Sequence, residues 1–324
     1  LVIPNVDKED LVGRLHALDV APTPEWTPHT HHPYARRRTR AFVKVQDGCR
    51  NRCTFCVVTI ARGDERSRSI DDVVAEVQHL HDVGYQEVVV SGVHLGGFGN
   101  DRGTHLSALL QALLSRTRVP RNRLGSLEPW DLPPGFFALW DDPRLCPHLH
   151  LPMQSGDDGV LRRMARRCTT DEFADLAAAA RRAHPAFSIT TDLIVGFPGE
   201  TDEEFANTLA FLERVRFGQV HAFAYSAREG TRAAGLPGQV SEATKRDRSQ
   251  QLHARAAEIH GRWLDANVGA VRPVLFERPK RGAAGYTDNY LRVEVPTSTE
   301  SLTNVIRPVR LLHRNNDVLV GALA

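Results

Sequence analysis

Three cysteines in one short run carry the strongest chemical signal in this chain: Cys49, Cys53 and Cys56, in a C-x3-C-x2-C spacing that includes Phe55. Three thiolates on one loop can hold three irons of a [4Fe-4S] cube and leave the fourth iron open to a ligand. Joined by a histidine, the same three could complete a tetrahedral zinc site, and His29, His31 and His32 lie just upstream. Structural zinc usually serves small domains that need the metal to fold. Here the triplet instead follows an apolar, strand-like stretch, Ala41 to Val45, at the head of a long α/β pattern, which favours the cluster.

Elements that can position such a loop are legible around it. Apolar runs predict strands at 42–45, 87–91, 123–127, 149–151, 188–195 and 220–225. Amphipathic spacing predicts helices at 71–83, 105–116, 156–165, 171–183 and 202–215. Ser69 with Asp72, Thr169 with Glu172 and Thr201 with Glu204 read as helix N-caps. Strand–helix alternation at this spacing implies parallel strands with helical crossovers. The fold class is therefore α/β, a partial six-fold (β/α) barrel, with reactive groups gathered at the carboxyl ends of its strands. A long charged helix follows at 242–266, and from 271 onward short β-rich runs predict a small all-β barrel.

Other distinctive residues also fall at strand ends. Gly92 opens the turn Ser91 to Gly97, where glycine lets backbone approach a ligand or simply closes a βα turn. Glu128 ends the next strand, as a ligand contact or a salt-bridged carboxylate. Gln154 and Ser155 follow the fourth strand, and Gln154 could read a ligand edge through paired donor and acceptor groups. Arg166 could meet a carboxylate bidentately or sit exposed on its helix. Asp192 and Gly196 belong to a strand and a Gly-Phe-Pro-Gly turn that suits either adenosine or packing.

These strings together resemble the methylthiotransferases of the radical S-adenosylmethionine (SAM) superfamily: QDGC with its two further cysteines, SGVHLG, SLEP, LPMQSG, Met164 with Arg166, and TDLIVGFPGET, in that order and across nearly the whole chain. The resemblance implies that Cys49, Cys53 and Cys56 ligate a [4Fe-4S] cluster whose open iron is chelated by SAM. It implies that Phe55 packs near the adenine, that Gly92 lies at the methionyl amino group, and that Glu128, Gln154, Ser155, Arg166, Asp192 and Gly196 contact SAM. It implies a radical SAM core over 35–267 and a TRAM-like RNA-binding barrel over 268–324. The Tyr286 to Tyr290 run, SGVHLG and SLEPWD resemble the branch that modifies N6-threonylcarbamoyladenosine beside the anticodon. The implied reaction places a methylthio group at C2 of that base, with tRNA as partner and a flavodoxin- or ferredoxin-like reductant.

Two departures accompany the resemblance. The family carries an N-terminal domain with a second [4Fe-4S] cluster that delivers sulfur; residues 1–34 read as a linker or remnant of it, so the chain reads as a fragment or truncated form. Cys168 stands where the family usually has Tyr. Rival expectations are another radical SAM reaction, such as modification of a ribosomal protein, and a non-enzymatic zinc- and RNA-binding protein.

Composition sets the remaining bounds. With 324 residues and 41% hydrophobic content the chain can bury a sizeable core. A net charge of +2 advertises no global affinity for nucleic acid, although basic clusters occur at Arg36 to Arg40, Arg162 to Arg167 and Arg278 to Arg281. Three of five cysteines are committed to one motif, leaving Cys146 and Cys168 isolated, a usage that fits a reducing cytoplasm. No apolar run is long enough to span a bilayer. Deleting the residues after Gly269 is expected to spare SAM cleavage and weaken tRNA binding.

Overall fold

The computed structural model describes residues 38–278, 282–296 and 301–324. The first 34 residues, Arg36, Arg37, Lys280 and Arg281 lie outside them. In chain order the elements are β1 (Ala41–Asp47), α1 (Val58–Arg62), β2 (Arg66–Ser67), α2 (Ile70–Asp82), β3 (Glu87–Gly92), α3 (Leu106–Arg116), β4 (Arg121–Leu124), β5 (His148–His150), α4 (Asp158–Arg163), α5 (Thr170–Ala183), β6 (Ser188–Val195), α6 (Asp202–Val215), β7 (Gln219–Ala224) and α7 (Glu242–Ala266). The tail contributes β8 (Val271–Glu277), β9 (Ala283–Thr287), β10 (Arg292–Val295), β11 (Ile306–Asn315) and β12 (Val318–Leu323).

Period-two patterning builds the first unit. Val43, Val45, Val88, Val90, Leu193 and Val195 are essentially fully buried and face a helix layer that supplies Val73, Leu109, Leu113 and Leu212. Full burial of such a side chain contributes about 1.5–3 kcal/mol. The helices begin where hydroxyls accept from backbone amides: Thr169 and Thr201 form complete capping boxes with Glu172 and Glu204, and Ser69 accepts from the Asp72 amide. Strand order is β2-β1-β3-β4 in one sheet and β5-β6-β7 in another. Parallel bridges Asn122 to Leu145 and Ser126 to His150 connect the two. The result is six parallel strands among the described residues, with only β2 antiparallel at the edge. Phe42 on β1 and Phe223 on β7 expose about half their surface (55% and 52%) on strands that do not pair with each other, so the barrel stays open on that side.

The tail closes into a barrel of order β10-β12-β11-β8-β9. Strand β9 has little local signal in the sequence. Its Ala-Ala-Gly start has weak strand propensity, and pairing on both sides, with β8 and β10, makes it a strand. Leu252, Ala256 and Ile259 of α7 pack on the first unit, and Leu264 enters the core of the second beside Val274, Phe276 and Leu319.

A buried charge cluster joins the two barrels. Glu87, fully buried, accepts from Arg123 Nε at 2.8 Å and lies 3.5 Å from Arg121 Nη1. The same arginines continue into the tail: Arg121 donates to the carbonyls of Tyr286 (3.1 Å) and Pro273, and Arg123 to those of Asp288 (3.0 Å) and Thr287 (3.3 Å). Tyr290 stacks on Tyr286, on His148 and beneath Arg123 and Arg40. The Tyr286 to Tyr290 segment therefore caps the amino-terminal end of the first barrel. Deleting the tail would uncover this cluster, so a deletion does not isolate a role in RNA binding from a role in folding.

Candidate active site

The cysteine loop leaves β1 at its carboxyl end through Gln46, Asp47 and Gly48. Gly48 adopts a φ of +79°, and a Cβ there would fall 1.9 Å from the Asp64 carbonyl oxygen, so no other residue fits. The loop is fastened at several points. The Cys49 amide donates to the Gly63 carbonyl (3.1 Å), Thr54 N to Met164 O (3.0 Å), Thr54 Oγ1 to Arg163 O (2.9 Å) and Ala233 N to Thr54 O (2.8 Å). All three thiols are free and half-buried. Burial, with the neighbouring thiols and Glu128 adding to it, pushes Cys49 up to about 11. Cys53 is also raised by burial, against the pull of Arg166.

Arg166 is the charged centre of the site. Its guanidinium lies 3.5 Å from Cys53 Sγ and 2.5 Å from Glu128 Oε2, donates to the Pro152 carbonyl and sits 4.3 Å over the Trp130 ring. Its Nε is buried without a partner. Thus Glu128, Arg166 and the cysteine loop, well separated in sequence, form one constellation. Its chemistry fits a thiolate-ligated iron–sulfur centre: three converging thiols, one fixed cation beside them, and an unmet donor.

Gln46 links the loop to the glycine turn. Its Oε1 accepts from the His94 amide (2.8 Å), its Nε2 donates to the Asp47 (3.0 Å) and Gly48 (2.8 Å) carbonyls, and a Cβ on Gly92 would sit 3.0 Å from it. Beneath the turn lies His94, absent from the residues singled out by sequence. It is held by Glu65 at Nδ1 and Asp131 at Nε2, both 2.6 Å. A Cβ on Gly97 would lie 2.6 Å from His94 Nδ1, so this glycine makes room for an internal ion pair. The Asn51 amide nitrogen packs 3.0 Å from His94 Nε2, and Asn51 Oδ1 accepts from Arg167 (2.6 Å). The signal available in sequence was only the polar loop residue Asn51 and a lone histidine, neither of which identifies partners 29 and 37 residues away from His94.

Burial alone would lower the His94 pKa, but hydrogen bonds to Asp131 and Glu65 and their charges raise it overall. The ion pair is therefore at full strength below the unfolded histidine value near 6.5 and is lost as pH rises through the raised folded value. His94→Gln is expected to cost about 2 kcal/mol at pH 6 and less at pH 9. Thermal melts of both proteins at the two pH values check it; an equal gap at both would show that the ring is uncharged.

The remaining residues sit around this centre. Phe55 packs with Ile194 and Leu236 against Val160, Met164, Phe197 and Tyr225. Gln154 has a φ of +80° and pairs through its backbone with Asp192 O (2.9 Å) and Ile194 N (2.8 Å). Ser155 is fully buried; its hydroxyl accepts from the Asp157 amide (3.2 Å) and lies 3.4 Å from Thr208 Oγ1 on α6. Asp192 faces the barrel interior, 3.3 Å from His150 Nε2. Gly196, φ +72°, donates its amide to Glu200 (2.6 Å), which buried Arg248 of α7 clamps at 2.7 Å. Cys146 and Cys168 are both buried, and Cys168 takes its place in the main core.

Comparison with known proteins identifies the family. The radical SAM superfamily model matches residues 43–212. Threonylcarbamoyladenosine tRNA methylthiotransferase MtaB of Bacillus subtilis is 38% identical over 85% of this chain and 63% of its own length. The protein of the same description from Chlamydia pneumoniae is 31% identical over 99% and 76%. A tRNA-2-methylthio-N(6)-dimethylallyladenosine synthase from Lawsonia intracellularis is 34% identical over 87% and 65%. Among solved structures, coproporphyrinogen III oxidase (HemN) from Escherichia coli superposes with a TM-score of 0.54 at 13% identity, covering 96% of this chain and 80% of that one, a likeness of fold. The chain belongs to the radical SAM superfamily and, within it, to the methylthiotransferase family. It spans 63% of the length of the Bacillus subtilis protein and 60% of that of the protein of the same description from Thermotoga maritima.

Proposed function

We propose that this chain acts in tRNA methylthiolation, directing a methylthio group to C2 of an N6-threonylcarbamoyladenosine beside the anticodon. The observation that carries the reading is the constellation of three free thiols, Arg166 and Glu128 at the carboxyl end of a parallel barrel. Cys49, Cys53 and Cys56 would hold a [4Fe-4S] cluster with one iron open to SAM. When bound, the two together supply one-electron cleavage of a carbon–sulfur bond, which reaches a carbon that no acid–base group could activate.

The chain's own residues do the positioning. Arg166 sets a fixed positive charge beside the Cys53 sulfur, and it can exchange its bond to Glu128 for the carboxylate of a bound amino acid. Glu128 is then released to accept from an ammonium or ribose hydroxyl. Phe55, packed from below, offers an apolar face to adenine. In this reading the backbone near Gly92, Gln154, Asp192 and Gly196 would line the SAM rim, and the Ser155 hydroxyl, bonded to the Asp157 amide and close to Thr208, would support it from beneath. Cys146 and Cys168, each alone and buried, offer no second cluster site among the described residues. In this reading 268–324 is a TRAM-like domain whose exposed Arg307 and Arg310 on β11 meet phosphates of the anticodon arm. A flavodoxin- or ferredoxin-like protein supplies electrons, in the cytoplasm where tRNA resides. No helix among the described residues is long and apolar enough to cross a membrane.

The test is anaerobic reconstitution with iron and sulfide, followed by metal analysis and a dithionite-driven assay for 5′-deoxyadenosine. About four irons and four sulfides per chain are expected, with SAM cleavage. Zinc without sulfide, and no cleavage, would reject the reading in favour of a metal-stabilised RNA-binding protein.

A further inference from the structure

The open barrel carries a polar patch on its inner wall in which His150 and His221 have no role so far. His150 on β5, Asp192 on β6 and His221 on β7 come from adjacent parallel strands, and a ligand atom from each lies within 4.8 Å of the others. Asp192 and His221 are direct register partners, and His150 pairs with Thr190 one inner-facing step below. The His150 ring is held: Nδ1 is 2.8 Å from Thr190 Oγ1 and Nε2 is 3.3 Å from Asp192 Oδ2. The His221 ring is exposed and makes no hydrogen bond among the described residues, so its nitrogens are available.

The patch lies close to the cysteine loop. Two residues beyond Asp192, Ile194 shares a cluster with Phe55, and a two-residue step along a strand is about 7 Å. Phe223 is in register with Ile194 and half exposed, an apolar face directly above His221. A nucleobase lying against Phe223 would have its exocyclic substituent within reach of the histidines.

We infer that His221, backed by the His150–Asp192 pair, reads the N6 substituent of the target adenosine and selects one that carries polar groups over a hydrocarbon one. This rests on the tRNA reading proposed above. The relatives divide between threonylcarbamoyl- and dimethylallyladenosine, and the two substituents differ in kind. A threonylcarbamoyl group brings a carboxylate, a hydroxyl and urea N–H groups: acceptors for imidazole N–H and donors for Asp192. A dimethylallyl group brings none, and covering two imidazoles and a carboxylate with it would strip their water without replacement. Sites built to hydrogen-bond a substrate reject analogues that lack the bonding group more strongly than apolar pockets reject extra bulk.

Three anticodon stem-loop RNAs that differ at one adenosine (unmodified, threonylcarbamoyl and dimethylallyl) provide the test. Their Kd values are measured on the reconstituted full chain and on His221→Phe and His221→Gln. The wild type is expected to hold the threonylcarbamoyl RNA about tenfold tighter than the dimethylallyl RNA. His221→Phe should erase that preference and leave the unmodified RNA unchanged, while His221→Gln, with a donor and an acceptor, should keep part of it. A wild-type preference that survives His221→Phe overturns the inference alone, and so does an equal loss on all three RNAs. Failure of the wild type to bind any of the three, or to prefer the threonylcarbamoyl RNA, overturns both the inference and the substrate reading beneath it.

Discussion

Cys53→Ala is expected to leave the chain without a defined cluster: iron falls well below the wild-type four per chain and SAM cleavage drops to background. Losing even an outer partner of a metal ligand costs about 10–100-fold, so loss of a ligand itself should exceed that. Cys53 is the most informative of the three because its sulfur faces Arg166. Removing it also leaves the guanidinium with only Glu128, the Pro152 carbonyl and the Trp130 face. Cys168→Ala is the matched control, since that thiol lies in the main core and bonds only the Thr169 carbonyl. Iron and sulfide counts on the two variants decide the matter. Equal iron in both, with cleavage retained, would remove Cys53 from the ligand set.

Glu87→Gln should produce the largest loss of stability of any single polar substitution named here. Glu87 is the only anion in direct contact with both Arg121 and Arg123 among the described ion pairs, and all three are buried. Neutralising it strands two guanidinium groups away from water, a loss of about 3–5 kcal/mol. For a chain of this size each kcal/mol is about 2–4 °C, so melting should fall by roughly 10 °C. Burial alone would raise the Glu87 pKa, but Arg123, Arg121 and Arg40 hold it below the usual carboxylate range. Its contribution is therefore present above the unfolded value near 4.3 and is lost as pH falls through the depressed folded value. Calorimetry of both proteins at pH 7 and at successively lower pH should give a wide gap at neutral pH that begins to narrow below the unfolded value near 4.3 and closes only beneath the depressed folded value. A gap that does not close in acid would assign the loss to packing rather than charge.

The Glu87 cluster also bears on function through geometry. Its arginines hold the backbone of 286–288, and Asn289 reaches the Ala186 carbonyl at 3.1 Å. These bonds set the orientation of the exposed β11 surface relative to the cysteine loop. Under the proposed function, a tRNA bound to both would have to match that fixed spacing. Point changes in the cluster, rather than removal of the tail, are the means of altering it.

Much of this was determined by sequence alone. The cysteine spacing, the six strand runs and the threonine–glutamate caps are local signals: each depends on residues within a few positions, where periodicity and side-chain chemistry leave few alternatives. Helix 202–215, strand 188–195 and the long helix 242–266 fall where their patterns put them. The tertiary structure decided what depends on residues distant in sequence. Nothing in the sequence links Glu87, Arg121 and Arg123, and only folding buries them together against the tail. His94 and its two carboxylates, the Arg166 bridge from Cys53 to Glu128, and the His150–Asp192–His221 patch are likewise made by strand register and close packing. A charge in the sequence does not state its partner, because electrostatic pairing acts through space while the chain records only order.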